Sequence, residues 1–109
     1  MAIVKFKNLR KMAIYEARCL HHRKAWRRGD LESEDVLYSS ETFTTRKAAN
    51  SYLQGKESDA KRQGNRTRIN LVGRGNKESE LVIFTGNSWI NENTGEEHKE
   101  YYWYRVIKK

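Results

Sequence analysis

The chain has 109 residues, with 22 Lys/Arg against 14 Asp/Glu and a formal net charge of +8, and 37% of it is hydrophobic. That suits one domain, residues 1–109, with a modest core and a largely ionic surface. No apolar run approaches the ~20 residues that span a bilayer, Met1 to Leu9 lacks the apolar centre of a signal peptide, and the single cysteine, Cys19, has no internal disulfide partner. The expectation is a cytoplasmic protein with no membrane partner.

The charge is unevenly laid out. Residues 1–28 hold nine Lys/Arg and one Glu, 29–43 hold five acids and no base, 44–78 hold nine bases and three acids, and 79–109 hold four bases and five acids. Two basic segments with an acidic break between them are the footprint of a protein that meets a polyanion, most often nucleic acid.

In chain order, the alternation of Val4 and Phe6 with Lys5 and Lys7 predicts a short edge strand within Met1–Lys7. Asn8 is placed to cap a helix over residues 9–28, which contain no Gly or Pro. On that helix Leu9, Met12, Ala13, Ala17 and Leu20 form an apolar stripe, and Arg10, Lys11, Arg18, His21, His22 and Arg28 an outer basic face. Residues 13–20 also alternate with the period of a strand, which is the competing reading. Positions 30–35 read as an acidic loop that either pairs with the protein's own basic surface or is simply solvated. Val36-Leu37-Tyr38 opens a strand that runs to Phe43. Thr45 then caps a second helix from Arg46 to about Gln63, closed by Gly64. Its inner side carries Ala48, Ala49, Tyr52, Leu53 and Ala60, and its outer side Lys47, Lys61 and Arg62.

Arg66–Val72 and Leu81–Phe84 read as a hairpin around a Gly73–Lys77 loop that carries Arg74 and Lys77. Gly86-Asn87 reads as a turn into Trp89–Asn91, and Asn93-Thr94-Gly95 as a turn into the last strand. That last strand contains Tyr101-Tyr102-Trp103-Tyr104-Arg105-Val106-Ile107. Strand geometry puts Tyr101, Trp103, Arg105 and Ile107 on one face and Tyr102, Tyr104 and Val106 on the other. Such a strand belongs in the middle of a sheet, one face on the core and the other presenting rings. The fold class expected is α+β: a mostly antiparallel sheet, built from a C-terminal three-stranded meander with Met1–Lys7 and Val36–Phe43 as edges, packed against two helices. Leu20, Leu53, Ile83 and Val106 are the expected core.

Phe43-Thr44-Thr45-Arg46-Lys47-Ala48-Ala49-Asn50-Ser51-Tyr52-Leu53 resembles the strand-to-helix junction of the AP2-like arm-binding domain of phage integrases. The resemblance covers these eleven residues and implies a sheet that meets DNA in the major groove.

Catalytic and metal signatures are sparse. Cys19, His21, His22 and His98 fall short of a clustered four-ligand zinc set. Glu97-His98-Lys99 with Glu80 offers half of a metal-dependent nuclease site, and Gly73-x-Gly75 lacks the remainder of a phosphate-binding loop. No enzymatic activity and no cofactor are expected. The positive signal is cations interleaved with aromatics, the pattern that meets phosphates and unstacked bases. Tyr101, Trp103 and Arg105 beside Arg66, Arg68, Arg74 and Lys77 form one candidate surface. Arg10, Lys11, Arg18 and Arg28 form a second, and Lys47, Lys61 and Arg62 a third. The reading reached is a small non-enzymatic protein that binds RNA or DNA chiefly through the phosphate backbone, of phage or mobile-element type. The alternative is a phage-type counter-defence inhibitor that docks on a host nucleic-acid-processing protein.

Overall fold

Two consecutive positive φ angles, 54° at Arg28 and 83° at Gly29, turn the chain back on itself in a two-residue hairpin. Both central residues of such a turn take left-handed backbone, which glycine adopts freely and which matches the twist of the flanking strands. In the computed structural model, which describes residues 13–109, this turn joins β1 (Tyr15–Arg27) to β2 (Asp30–Phe43). The helix expected over residues 9–28 is therefore corrected from residue 13 onward. Both the helical stripe and the strand alternation were present in this sequence, and the strand wins through partners far along the chain. β1 is hydrogen-bonded to β2 on one side and to the C-terminal strand on the other. Asn8, Arg10, Lys11 and the expected strand within Met1–Lys7 lie outside the described residues.

The acidic stretch 30–35 is likewise part of β2 rather than a loop. Its carboxylates face the bases of β1: Arg23 donates to Glu34 at 2.9 Å, and Arg27 lies 3.3 Å from Glu34 and 3.5 Å from Glu32. Of the two fates weighed for the acidic run, self-pairing is the one observed, and Arg23 and Arg27 of the first basic segment are neutralised within their own hairpin.

The chain next forms α1 (Arg46–Arg62), β3 (Arg66–Asn70), β4 (Ser79–Ile90) and β5 (Glu97–Lys108). Thr45 caps α1, accepting from the Ala48 amide at 3.1 Å, and Gly64 follows the helix with φ 82°. The five strands make one antiparallel sheet in the order β2-β1-β5-β4-β3. The aromatic strand β5 is thus central, as its two costly faces require, and β2 is an edge. The expected turn at Gly86-Asn87 is corrected: β4 continues past it, with a bulge between Phe84 and Ser88. Among the described residues there is one helix, not two.

α1 packs on one face only. Ala49, Leu53 and Ala60 meet Cys19 of β1, Leu81 and Ile83 of β4, and Tyr104 and Val106 of β5, all buried. Leu53, Ile83 and Val106 take core positions as expected. Leu20 does not: β1 being a strand, it points away from Cys19 to the other face, opposite Trp103. Ala48 is exposed beside the cap, whereas Arg46 is buried, donating to the Lys77 and Gly75 carbonyls at 2.9 and 2.7 Å. The long hairpins overrun α1. Extents of 61 × 32 × 22 Å and a radius of gyration of 17.6 Å, against about 13 Å for a rounded chain of this size, reflect that overrun.

Candidate nucleic-acid interface

The sheet face opposite α1 is covered by no described element. Cross-strand partners in an antiparallel sheet share a face, so the register states what this face carries. One row runs Leu37, Leu20, Trp103, Val82, Arg68, and a second runs Asp35, His22, Tyr101, Phe84, Arg66. A third, next to the Trp103 row, runs Ser40, Arg18, Arg105, Glu80, Asn70. Aromatic and aliphatic side chains thus occupy the middle of the face, and Arg66 and Arg68 stand on its β3 edge.

The cations of this face are not equivalent. Arg105 spreads over the Trp103 ring, 4.9 Å from its centroid, and Glu78 accepts two hydrogen bonds from it at 2.7 and 3.0 Å. The Glu78 carboxylate beside it raises the Arg105 pKa further. Arg18 is held by Glu16 at 3.0 Å, which also accepts from Ser40 Oγ at 2.6 Å and lies 2.8 Å from Lys109 Nζ. These three donors, Lys109 first, hold the buried Glu16 carboxyl at about 2, well below its usual range. Arg18 and Arg105 are therefore neutralised in place. Arg66 and Arg68 are exposed and enter no ion pair among the described residues. They can meet phosphate without first giving up a carboxylate.

Toward the hairpin end, the rings of His22 and Tyr101 stack at 4.7 Å, and His22 also stacks with His98 and Trp89 at 5.3 and 5.6 Å. Asp35 accepts from His22 Nδ1 at 2.7 Å, and His22 Nε2 lies 3.1 Å from His98 Nδ1. The described residues contain no group of three or more side chains placed to hold a metal ion.

The sequence-predicted residues are divided by the fold. Arg66, Arg68, Tyr101, Trp103, Arg105 and Arg18 come together on the face opposite α1. Arg74 and Lys77 sit in the β3–β4 loop, which Arg46 ties toward the helix. Lys47, Lys61 and Arg62 are exposed on α1, on the other side of the molecule, with Lys61 3.5 Å from Glu57 and Arg62 paired to Asp59. Arg28 is at the tip of the β1–β2 hairpin. Glu80 and Lys99 are far apart: Glu80 pairs with Arg105, six residues along β5 from Lys99, or about 20 Å at strand rise. Phe84, Leu20, Leu37 and His22 were not foreseen as part of the face. Alternation marks each as one of two faces, and only the register tells which.

Compared with protein-family models, curated proteins and solved structures, the chain finds no match in any of the three.

Proposed function

We propose that this protein binds single-stranded nucleic acid, RNA or DNA, across the open face of its sheet, without catalysis. One observation carries the reading: Arg66 and Arg68, in no ion pair among the described residues, stand at the edge of a face that carries the half-buried rings of Phe84, Tyr101 and Trp103 and that nothing described covers. Unpaired bases stack on such rings, whereas a duplex keeps its bases inside. The cations take the phosphates, so affinity outweighs sequence choice.

The test is titration of the pure protein with single-stranded RNA, single-stranded DNA and duplex DNA at several salt concentrations. Each phosphate neutralised on a single strand contributes about −0.7 to the slope of log affinity against log salt. Arg66→Ala and Arg68→Ala are expected to remove about that much each, and Trp103→Ala to cost about 1–3 kcal/mol with the slope unchanged. Joint replacement of Lys47, Lys61 and Arg62 by Ala leaves binding as it was. Flattening by the helix variants alone would move the site to α1, and absence of binding at low salt would reject the reading.

A second reading is favoured by the exposure of Trp26 (68%), Leu37 (59%) and Ile90 (54%). Such side chains are anchors for a protein partner, as in a phage-type inhibitor that docks on a host nucleic-acid-processing protein. Loss of action on such a host protein in Trp26→Ala, with oligonucleotide affinity intact, would favour it.

A further inference from the structure

The pairing of β4 with β5 is interrupted in one place. Phe84 pairs with Tyr101 and Ser88 with Lys99, so Thr85, Gly86 and Asn87 together stand opposite Glu100. Bulges of this kind re-aim side chains and free backbone groups from the ladder, and Gly86, with φ 92°, supplies the left-handed backbone that this one needs. Glu100 gathers the bulge from the helix side. It accepts from Thr85 Oγ1 at 2.5 Å, from Asn87 Nδ2 at 2.9 Å and from His21 Nε2 at 2.7 Å. Burial by itself would raise the Glu100 pKa, but these donors outweigh it and the net shift is downward. The carboxylate is thus occupied holding the bulge.

Beside the bulge a cleft of about 390 Å³ opens along the β3 edge, with Arg66, Phe84, Ser88 and Lys99 in its wall together with Asn65. No carboxylate lines it. Both of its cations are exposed and stand outside any ion pair among the described residues. Arg66 lies two strands from Tyr101, and Lys99 two residues from Tyr101 along β5, so their backbones are about 12 Å apart by strand spacing and rise. Two long side chains can reach a single anion across that gap. The Phe84 ring lies between them in register, edge-on to Tyr101 at 6.2 Å and 65°.

We infer that this cleft is a nucleotide subsite: Arg66 and Lys99 clamp one phosphate of the strand while its unpaired base lies against Phe84. This rests on the single-strand reading and deepens it by fixing where one nucleotide is gripped. A clefted arrangement of this volume suits a small ligand, the arginine fork suits phosphate oxygens, and the lysine adds a point charge. Lys99 becomes a phosphate ligand, a role that the sequence by itself did not suggest.

The experiment is NMR titration of the full chain with uridine monophosphate, uridine and inorganic phosphate at low salt, followed on the Gly86 and Ser88 amides. A parallel oligonucleotide titration uses wild type, Lys99→Ala and Phe84→Leu. Expected are shifts at the bulge with the monophosphate, weaker ones with phosphate alone or the nucleoside, and a loss of about ten-fold or more in monophosphate affinity in Lys99→Ala. Lys99→Ala also flattens the oligonucleotide salt slope by about 0.7. Phe84→Leu weakens the monophosphate and leaves phosphate alone unchanged. Oligonucleotide binding that ignores Lys99→Ala, with no monophosphate shifts at the bulge, overturns the subsite and leaves the sheet-face reading standing. Monophosphate shifts that Lys99→Ala removes, in a protein that binds no oligonucleotide, uphold the subsite and reject the sheet-face reading. Equal affinity for phosphate and monophosphate overturns the base seat.

Discussion

The Arg105 guanidinium lies over the Trp103 ring, 4.9 Å from its centroid, and Glu78 fixes it there with two hydrogen bonds. A cation so committed contributes little to phosphate binding, since forming a new ion pair means breaking an existing one. Glu78→Gln is therefore expected to release Arg105 and steepen the single-strand salt slope by about 0.7, while Arg105→Ala in the native background leaves it nearly unchanged. The same titrations with both variants check this. A steep loss in Arg105→Ala would show that the pair opens on binding.

Glu16 gives the fold an acid limit. Its folded pKa of about 2 lies below the ordinary 4.5, so the native state binds this proton less readily than the unfolded chain does. The stabilisation is complete above pH 4.5 and drains away as pH falls from there toward 2. Glu16→Gln lacks that contribution, so the gap between its urea midpoint and that of wild type narrows across this window. A gap that stays constant from pH 6 to 2 would contradict the role assigned to Lys109, Ser40 and Arg18 around this carboxylate.

Leu53 is fully buried between α1 and the sheet. Leu53→Ala is expected to destabilise the protein by about 2–4 kcal/mol through lost burial and the cavity left behind, measured by urea unfolding. A loss below about 0.5 kcal/mol, which is within the range of a surface change, would mean that the helix does not pack as described.

Cys19 is fully buried on the helix side of β1, opposite Tyr104, and burial pushes its thiol up to about 11. Labelling by a thiol reagent at pH 8 should be about 100-fold slower in the native protein than in urea, because few thiolates form and access requires opening. Equal rates would place Cys19 at the surface.

Local chemistry made several elements legible in the sequence. Thr45 and Gly64 bound α1 because a hydroxyl cap and a left-handed residue act within one turn of themselves. The two faces of Tyr101–Ile107 followed from strand alternation, and its central place from the cost of wetting either one. The grouping of Arg66 and Arg68 with Tyr101 and Trp103 was legible too, since β3, β4 and β5 follow one another closely in the chain.

Residues 13–27 show the limit. Residues 13–20 of this stretch fit a helical stripe and a strand alternation at once, and the choice depended on β2 and β5, the latter some eighty residues away. The fates of Leu20, of the acids at 30–35 and of Arg23 and Arg27 all followed from that one choice. Which cations remain available, Arg66, Arg68 and Lys99 rather than Arg18 and Arg105, is likewise a tertiary matter. A charge announces itself in composition, but its freedom depends on whether the fold brings a carboxylate within hydrogen-bonding distance, and that distance is set by register, which no local pattern encodes.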